Sequence, residues 1–201
     1  STASNLASAI SNAPTKSKFM IVSNPDRHLI CFGTETTIGT TSTQDPMFIR
    51  WSDQDNFNDW TASATNSAGS QRVTGGSKIV TAVSTRGQIL FLTDTSAHGM
   101  SFIGAPFTFG FQKLGTNCGA VSPHCAVDIS GMVYWMSSDG FYMFDGTVRK
   151  MPCTVEDFVF DNIDSTQLEQ VYAASNSAFG EVIWLYCSTA SNQIDRYVMY
   201  N

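Results

Sequence analysis

The residues best placed to do chemistry are three aspartates, Asp53, Asp55 and Asp59, inside the segment WSDQDNFNDW at 51–60. Closely spaced acids are how a calcium loop presents oxygen ligands. Here Phe57 stands where such a loop needs another oxygen, and no glycine follows to make its sharp turn. The spacing therefore predicts a solvated acidic loop, and the acids from Glu156 to Glu169 predict a solvated helix face. The five cysteines are an odd number in a chain of 201 residues, which argues against a disulfide framework. Cys31 and Cys187 lie in apolar runs and read as buried thiols. Cys118, Cys125 and Cys153 fall in turn-like contexts, and Cys118 with His124-Cys125 does not match a zinc spacing. His28, His98 and His124 have no motif around them and read as surface or turn residues rather than members of a nucleophilic triad. No catalytic, cofactor-binding or metal-ligating residue is assigned, and the expectation is a protein that is not an enzyme.

Composition narrows the classes further. Asp, Glu, Lys and Arg make up only 14% of the chain while aromatics reach 12%, against about 25% charged residues in an ordinary soluble domain. A surface poor in charge and rich in aromatics is what a subunit of an assembly presents. The net charge of −6 and a pI near 4.8 repel phosphate backbones, so stable binding of nucleic acid is not expected. No apolar run is long enough to span a bilayer, and no charged-then-apolar leader opens the chain. The first residue is Ser1 rather than methionine, which reads as a cut point within a longer protein.

The elements that must position these residues are strands. AVDISGMVYWMSSDGFYMFDGTVRKM, residues 126–151, packs four short apolar runs and three glycine turns into one stretch. Ser130-Gly131, Asp139-Gly140 and Asp145-Gly146 each supply the glycine that a tight hairpin requires, so the stretch predicts a four-stranded antiparallel meander. A meander this short cannot bury both faces alone and must stack on similar sheets, which is the logic of a β-propeller blade.

The same outline recurs along the chain. Residues 1–18 are mostly Ser, Thr, Ala and Asn with Pro14 and read as a linker or a marginal helix near Leu6 to Ile10. KFMIV, HLICF and MFIRW build a first blade over 19–62, and the polar run from Thr61 to Ser77 reads as the loop to the next. KIVTAV, QILFL, MSFI and FTFGFQKL build a second over 78–114, with a loop from Asp94 to Gly99. The third is 126–151. Val155, Phe158, Val159 and Ile163 then recur at helical spacing, with Thr154 as N-cap, before a fourth blade over 171–201. First strands begin near Phe19, Ile79, Ala126 and Val171, separations of 60, 47 and 45 residues that suit propeller repeats. The fold class expected is all-β: propeller-like blades with one short helix near 155–163, forming an arc of a larger propeller.

Two resemblances add to this. Asp55 with Trp60 partly resembles the Asp-box turn of sialidase-type propellers, with Asp53 and Phe57 where that motif has Ser and Gly. Residues 115–163, from GTNCGAVSPHC through the Gly-aromatic hairpins to PCTVEDFVFDNI, resemble the tail hub or nozzle proteins of short-tailed bacteriophages, also called phage stabilisation proteins. RWSDQDNFNDW is similar to a segment of related phage tail proteins, and the likeness extends over about 47–187. It implies a structural virion protein that closes into a ring, most often a hexamer, between the portal and adaptor and the tail fibres. Such a ring, assembled in the host cytoplasm, lets double-stranded DNA pass without binding it. On that reading Asp53, Asp55 and Asp59 are candidate lumen-facing acids.

The competing reading is a propeller that binds or processes glycans, with Trp51, Trp60, Trp135 or Trp184 as stacking platforms. Trp135 and Trp184 sit in mid-strand, where a tryptophan reads as core. A glycosidase needs two facing carboxylates, or a tyrosine nucleophile with an arginine cluster for sialic acid, and eleven scattered basic residues do not build that cluster.

Overall fold

The structure, a computed structural model, describes residue 10 and residues 12–24 and 26–201. Residues 6–9, which fall in the marginal helix expected from the sequence, lie outside the described residues. Four antiparallel sheets account for nearly all the regular structure: three of four strands, one of three. The chain divides into two compact units, residues 1–73 with 104–108, and residues 74–103 with 109–201.

The first unit holds one sheet in the order β1 (Phe19–Ser23), β2 (His28–Phe32), β3 (Phe48–Trp51) and β4 (Gly69–Arg72). Ile30, Phe32, Ile49, Met47 and Trp60 are fully buried, and the Phe19 and Phe32 rings stack at 4.9 Å. β4 corrects the sequence reading, which placed residues 61–77 in a loop and ended this sheet at 62. GSQR carries no apolar periodicity, and its place is set by backbone pairing, Phe48 with Arg72 through Trp51 with Gly69. Glycine is required at 69 because a β-carbon there would lie 2.5 Å from Trp51 Cζ2. Residues 15–18 are also tied down rather than free: Thr15 Oγ1 donates to Glu35 at 2.5 Å and Thr34 Oγ1 donates to the Lys16 carbonyl at 2.8 Å.

The second unit holds the other three sheets, except for Gly104 and Thr108, which belong to the first unit. The sheets are β5 (Ile79–Ser84) to β6 (Ile89–Thr93), β7 (Ser96–Gly104) and β8 (Thr108–Thr116); then β9 (Ala126–Ile129) to β10 (Met132–Ser137), β11 (Gly140–Phe144) and β12 (Val148–Lys150); then β13 (Tyr172–Asn176), β14 (Glu181–Tyr186) and β15 (Arg196–Tyr200). β7 begins earlier than the expected loop to Gly99 allowed. Ser96, Ala97, His98 and Gly99 look like loop residues, yet all are buried in the strand. Val133 to Ser137 pair with Phe144 to Gly140 in antiparallel register. Ile129 pairs with Met132, so Ser130 and Gly131 form a two-residue loop with φ of 56° and 88°, the mirror-image turn that matches strand twist. At the next hairpin Ser137 pairs with Gly140, so the loop is Ser138-Asp139 and the positive φ of 154° falls on Gly140 at the head of β11. Gly146 takes φ 117° in the last turn.

The helix α1 spans Glu156–Asn162, and its N-cap position is Val155 with no side-chain cap. Thr154 is therefore not the cap: the chain enters the helix one residue later than expected from the sequence. One apolar cluster runs through the three sheets, with Leu90 and Leu92, Val133, Trp135 and Phe141, and Val182 and Trp184 among its members. The first strands of the sheets are neighbours, β5 beside β9 and β9 beside β13. No helix among the described residues is long and apolar enough to cross a membrane.

Candidate functional site

The acidic loop of 52–67 spends two of its three aspartate carboxylates on itself. Asp53 Oδ1 accepts from the Ser67 hydroxyl at 2.7 Å and the Ser67 amide at 2.8 Å. The Ser67 hydroxyl bond, aided by backbone amides and opposed by burial, holds the Asp53 carboxyl below its ordinary range. Asp59 accepts from Asn66 Nδ2 at 2.8 Å, and its carbonyl accepts from the Asp53 amide at 2.7 Å. Asp55, at φ 57°, reaches outward to an ion pair with Arg27 at 2.8 Å, both side chains more than half exposed. The three acids do not converge. Among the described residues, no group of three His, Cys, Asp or Glu side chains gathers in a way that would hold a metal ion.

The histidines correct the sequence reading in two cases. His28 is fully buried on β2 and donates from Nδ1 to the Ser52 carbonyl at 2.8 Å. His98 is 5% exposed on β7, stacked on Phe91 at 5.0 Å, with Nε2 2.8 Å from Ser96 Oγ. A serine beside a histidine is half of a nucleophilic couple, but Ser96 is buried and its hydroxyl bonds the Gly75 carbonyl. Thr93 and Thr95 hydroxyls donate to that same carbonyl at 2.8 and 3.1 Å. Asp94 turns instead to Ser77, at 2.5 Å from its hydroxyl and 2.8 Å from its amide. The cluster is a clamp on residues 75–78. Burial, with Lys113 nearby, pushes the His98 pKa below its ordinary 6.5, so the ring stays neutral. His124 is exposed, next to Tyr172.

The tryptophans and thiols are structural. All four indoles are at most 5% exposed. Each N–H donates to a carbonyl: Trp51 to Ser67, Trp60 to Phe57, Trp135 to Cys118 and Trp184 to Cys125, at 2.7 to 2.9 Å. None offers a face to a sugar. The five cysteines are unbridged, and only Cys153 is more than marginally exposed. Burial pushes the Cys31 thiol up to about 11 and raises Cys118 and Cys125, the opposite of what a thiolate ligand or nucleophile needs.

What the second unit does expose is apolar. Val155 and Phe158, one helical turn apart at the start of α1, and Tyr197, Met199 and Tyr200 of β15 are between 37% and 68% exposed. Three of them, Val155, Met199 and Tyr200, line a slot of about 160 Å³ whose other walls include Phe141, Met151, Cys153, Trp184 and Val198. None of its lining residues carries a charge. Sequence reasoning missed this slot, because its walls come from segments as far apart as Phe141 and Tyr200. The only local signal was the helical spacing of Val155 and Phe158.

The chain matches no protein-family model and no curated protein sequence.

Proposed function

We propose that the chain is a structural subunit of a ring-shaped assembly, the tail hub or nozzle of a short-tailed bacteriophage, whose channel conducts double-stranded DNA. The reading takes its sheets as blades of a β-propeller, supported by the contiguous first strands β5, β9 and β13, since blades meet along their innermost strands. The observation that carries it is the apolar border of α1 and β15 in a chain only 14% charged, because such a border is what a subunit interface requires. A hexamer in the virion tail, between portal and adaptor on one side and tail fibres on the other, is the arrangement that the resemblance of 115–163 supports. A net charge of −6 suits a conduit that must not bind phosphates.

Of the three candidate lumen acids, Asp55 is the one whose charge faces outward, since Asp53 and Asp59 are engaged within the loop. Asp55→Lys therefore probes the channel wall without dismantling the loop, and on this reading it slows DNA ejection in a salt-dependent way. The direct test is native mass and particle imaging of the purified protein. A closed ring is expected, and a protein that stays monomeric and absent from virions overturns the reading. A glycan-stacking function draws no support from the tryptophans, all of which are buried.

A further inference from the structure

We propose that the apolar slot beside β15 is a socket for Phe107 of a second copy of the chain, so that neighbouring subunits join knob into socket. The proposal rests on the ring assembly put forward above and names the contact that would hold it. Phe107 lies in the turn between β7 and β8 and, at 72%, is the most exposed large apolar side chain among the described residues.

The two surfaces match in size and in charge. A slot of about 160 Å³ is close to the roughly 150 Å³ apolar cavity that accepts a benzene molecule, so it holds one phenyl ring. Its lining carries no charge, and the segment that brings the knob, residues 95–112, contains no Asp, Glu, Lys or Arg. Neither surface then strands an unpaired ion when water leaves. Knob and socket are different patches of one chain. Their pairing is heterologous, and a heterologous contact repeated with a closing rotation makes a ring.

Cys153, partly exposed in the slot wall, provides the test. In Phe107→Cys, treated with oxidised glutathione, the introduced thiol sits where it can bond Cys153 of the next copy. The expected result is a ladder of disulfide-linked chains on non-reducing gels, a 107-to-153 linked peptide by mass spectrometry, and loss of the ladder when Cys153→Ser is added. Phe107→Ala is expected to weaken self-association about tenfold or more with an unchanged near-ultraviolet dichroism spectrum, and Phe107→Leu to restore most of it. A ring seen by native mass that shows no 107-to-153 link and tolerates Phe107→Ala overturns this contact and leaves the ring reading standing. A wild-type chain that remains monomeric at high concentration overturns both.

Discussion

The loop of 52–67 and the border formed by α1 and β15 are both surface features, and they use their side chains in opposite ways. In the loop, polar residues satisfy one another: Ser67 caps Asp53, Asn66 holds Asp59, and Trp60 is drawn under the chain by the Phe57 carbonyl. In the border, large apolar side chains stand exposed around an uncharged slot. Knowing which residues are polar therefore does not reveal which surface is available. The acids that looked functional are largely committed to the fold, while large apolar residues of α1 and β15 are exposed.

The sharpest way to break this contrast is to remove the floor of the slot. Trp184 is buried against Phe141, with ring centroids 4.8 Å apart, and donates to the Cys125 carbonyl. Trp184→Ala should cost about 3–5 kcal/mol, measured by urea unfolding. Tyr197→Ala, at the exposed border, should change stability by less than about 0.5 kcal/mol while impairing self-association. An equal cost for the two would erase the distinction between floor and border.

In the loop the comparison runs between neighbouring acids. Asp53→Ala strands the Ser67 amide and hydroxyl and should cost about 1–3 kcal/mol. Asp55→Asn removes only an exposed ion pair and should cost about 0–1 kcal/mol. Equal effects would mean that the loop is held by its outward face after all. Gly140→Val is expected to cost about 1–2 kcal/mol or more from backbone strain, because φ is 154° and an added β-carbon meets the Lys150 side chain.

Acid should act on the Gly75 clamp before it acts on the loop. His98 has a native pKa below its ordinary 6.5, so the unfolded chain takes up its proton first. The stability this neutral ring contributes is complete above that pH and lost as pH falls below it. Asp53 has a native pKa below its ordinary 3.8, so its contribution holds through the His98 window and is lost only as pH falls further, through that range. Urea midpoints followed from neutral pH down to the carboxylate range should fall in two steps, the upper one absent in His98→Gln. A single step confined to the carboxylate range would show that His98 plays no such part.

Much of the fold was legible in the sequence and some could not have been. The β10–β11 hairpin was visible because apolar runs and glycine turns coincide over Met132–Phe144. β4 was hidden because Gly69–Arg72 holds its place through main-chain pairing with β3, which leaves no mark on side-chain type. The first half of β7 was hidden because Ser96 and His98 are polar residues buried by mutual hydrogen bonding. The committed state of Asp53 depended on Ser67, far along the chain, and the slot depended on segments brought together from separate sheets. Long-range partners of this kind are invisible to local pattern.

The placement of the tryptophans has an optical consequence. Two indoles lie in each unit, Trp51 and Trp60 in the first, Trp135 and Trp184 in the second, and all four are sealed from water. Native emission should be blue-shifted and poorly quenched by iodide. Tryptophan-to-phenylalanine pairs would leave one unit luminous at a time, so the melting of each could be watched separately in the intact chain without attaching a dye.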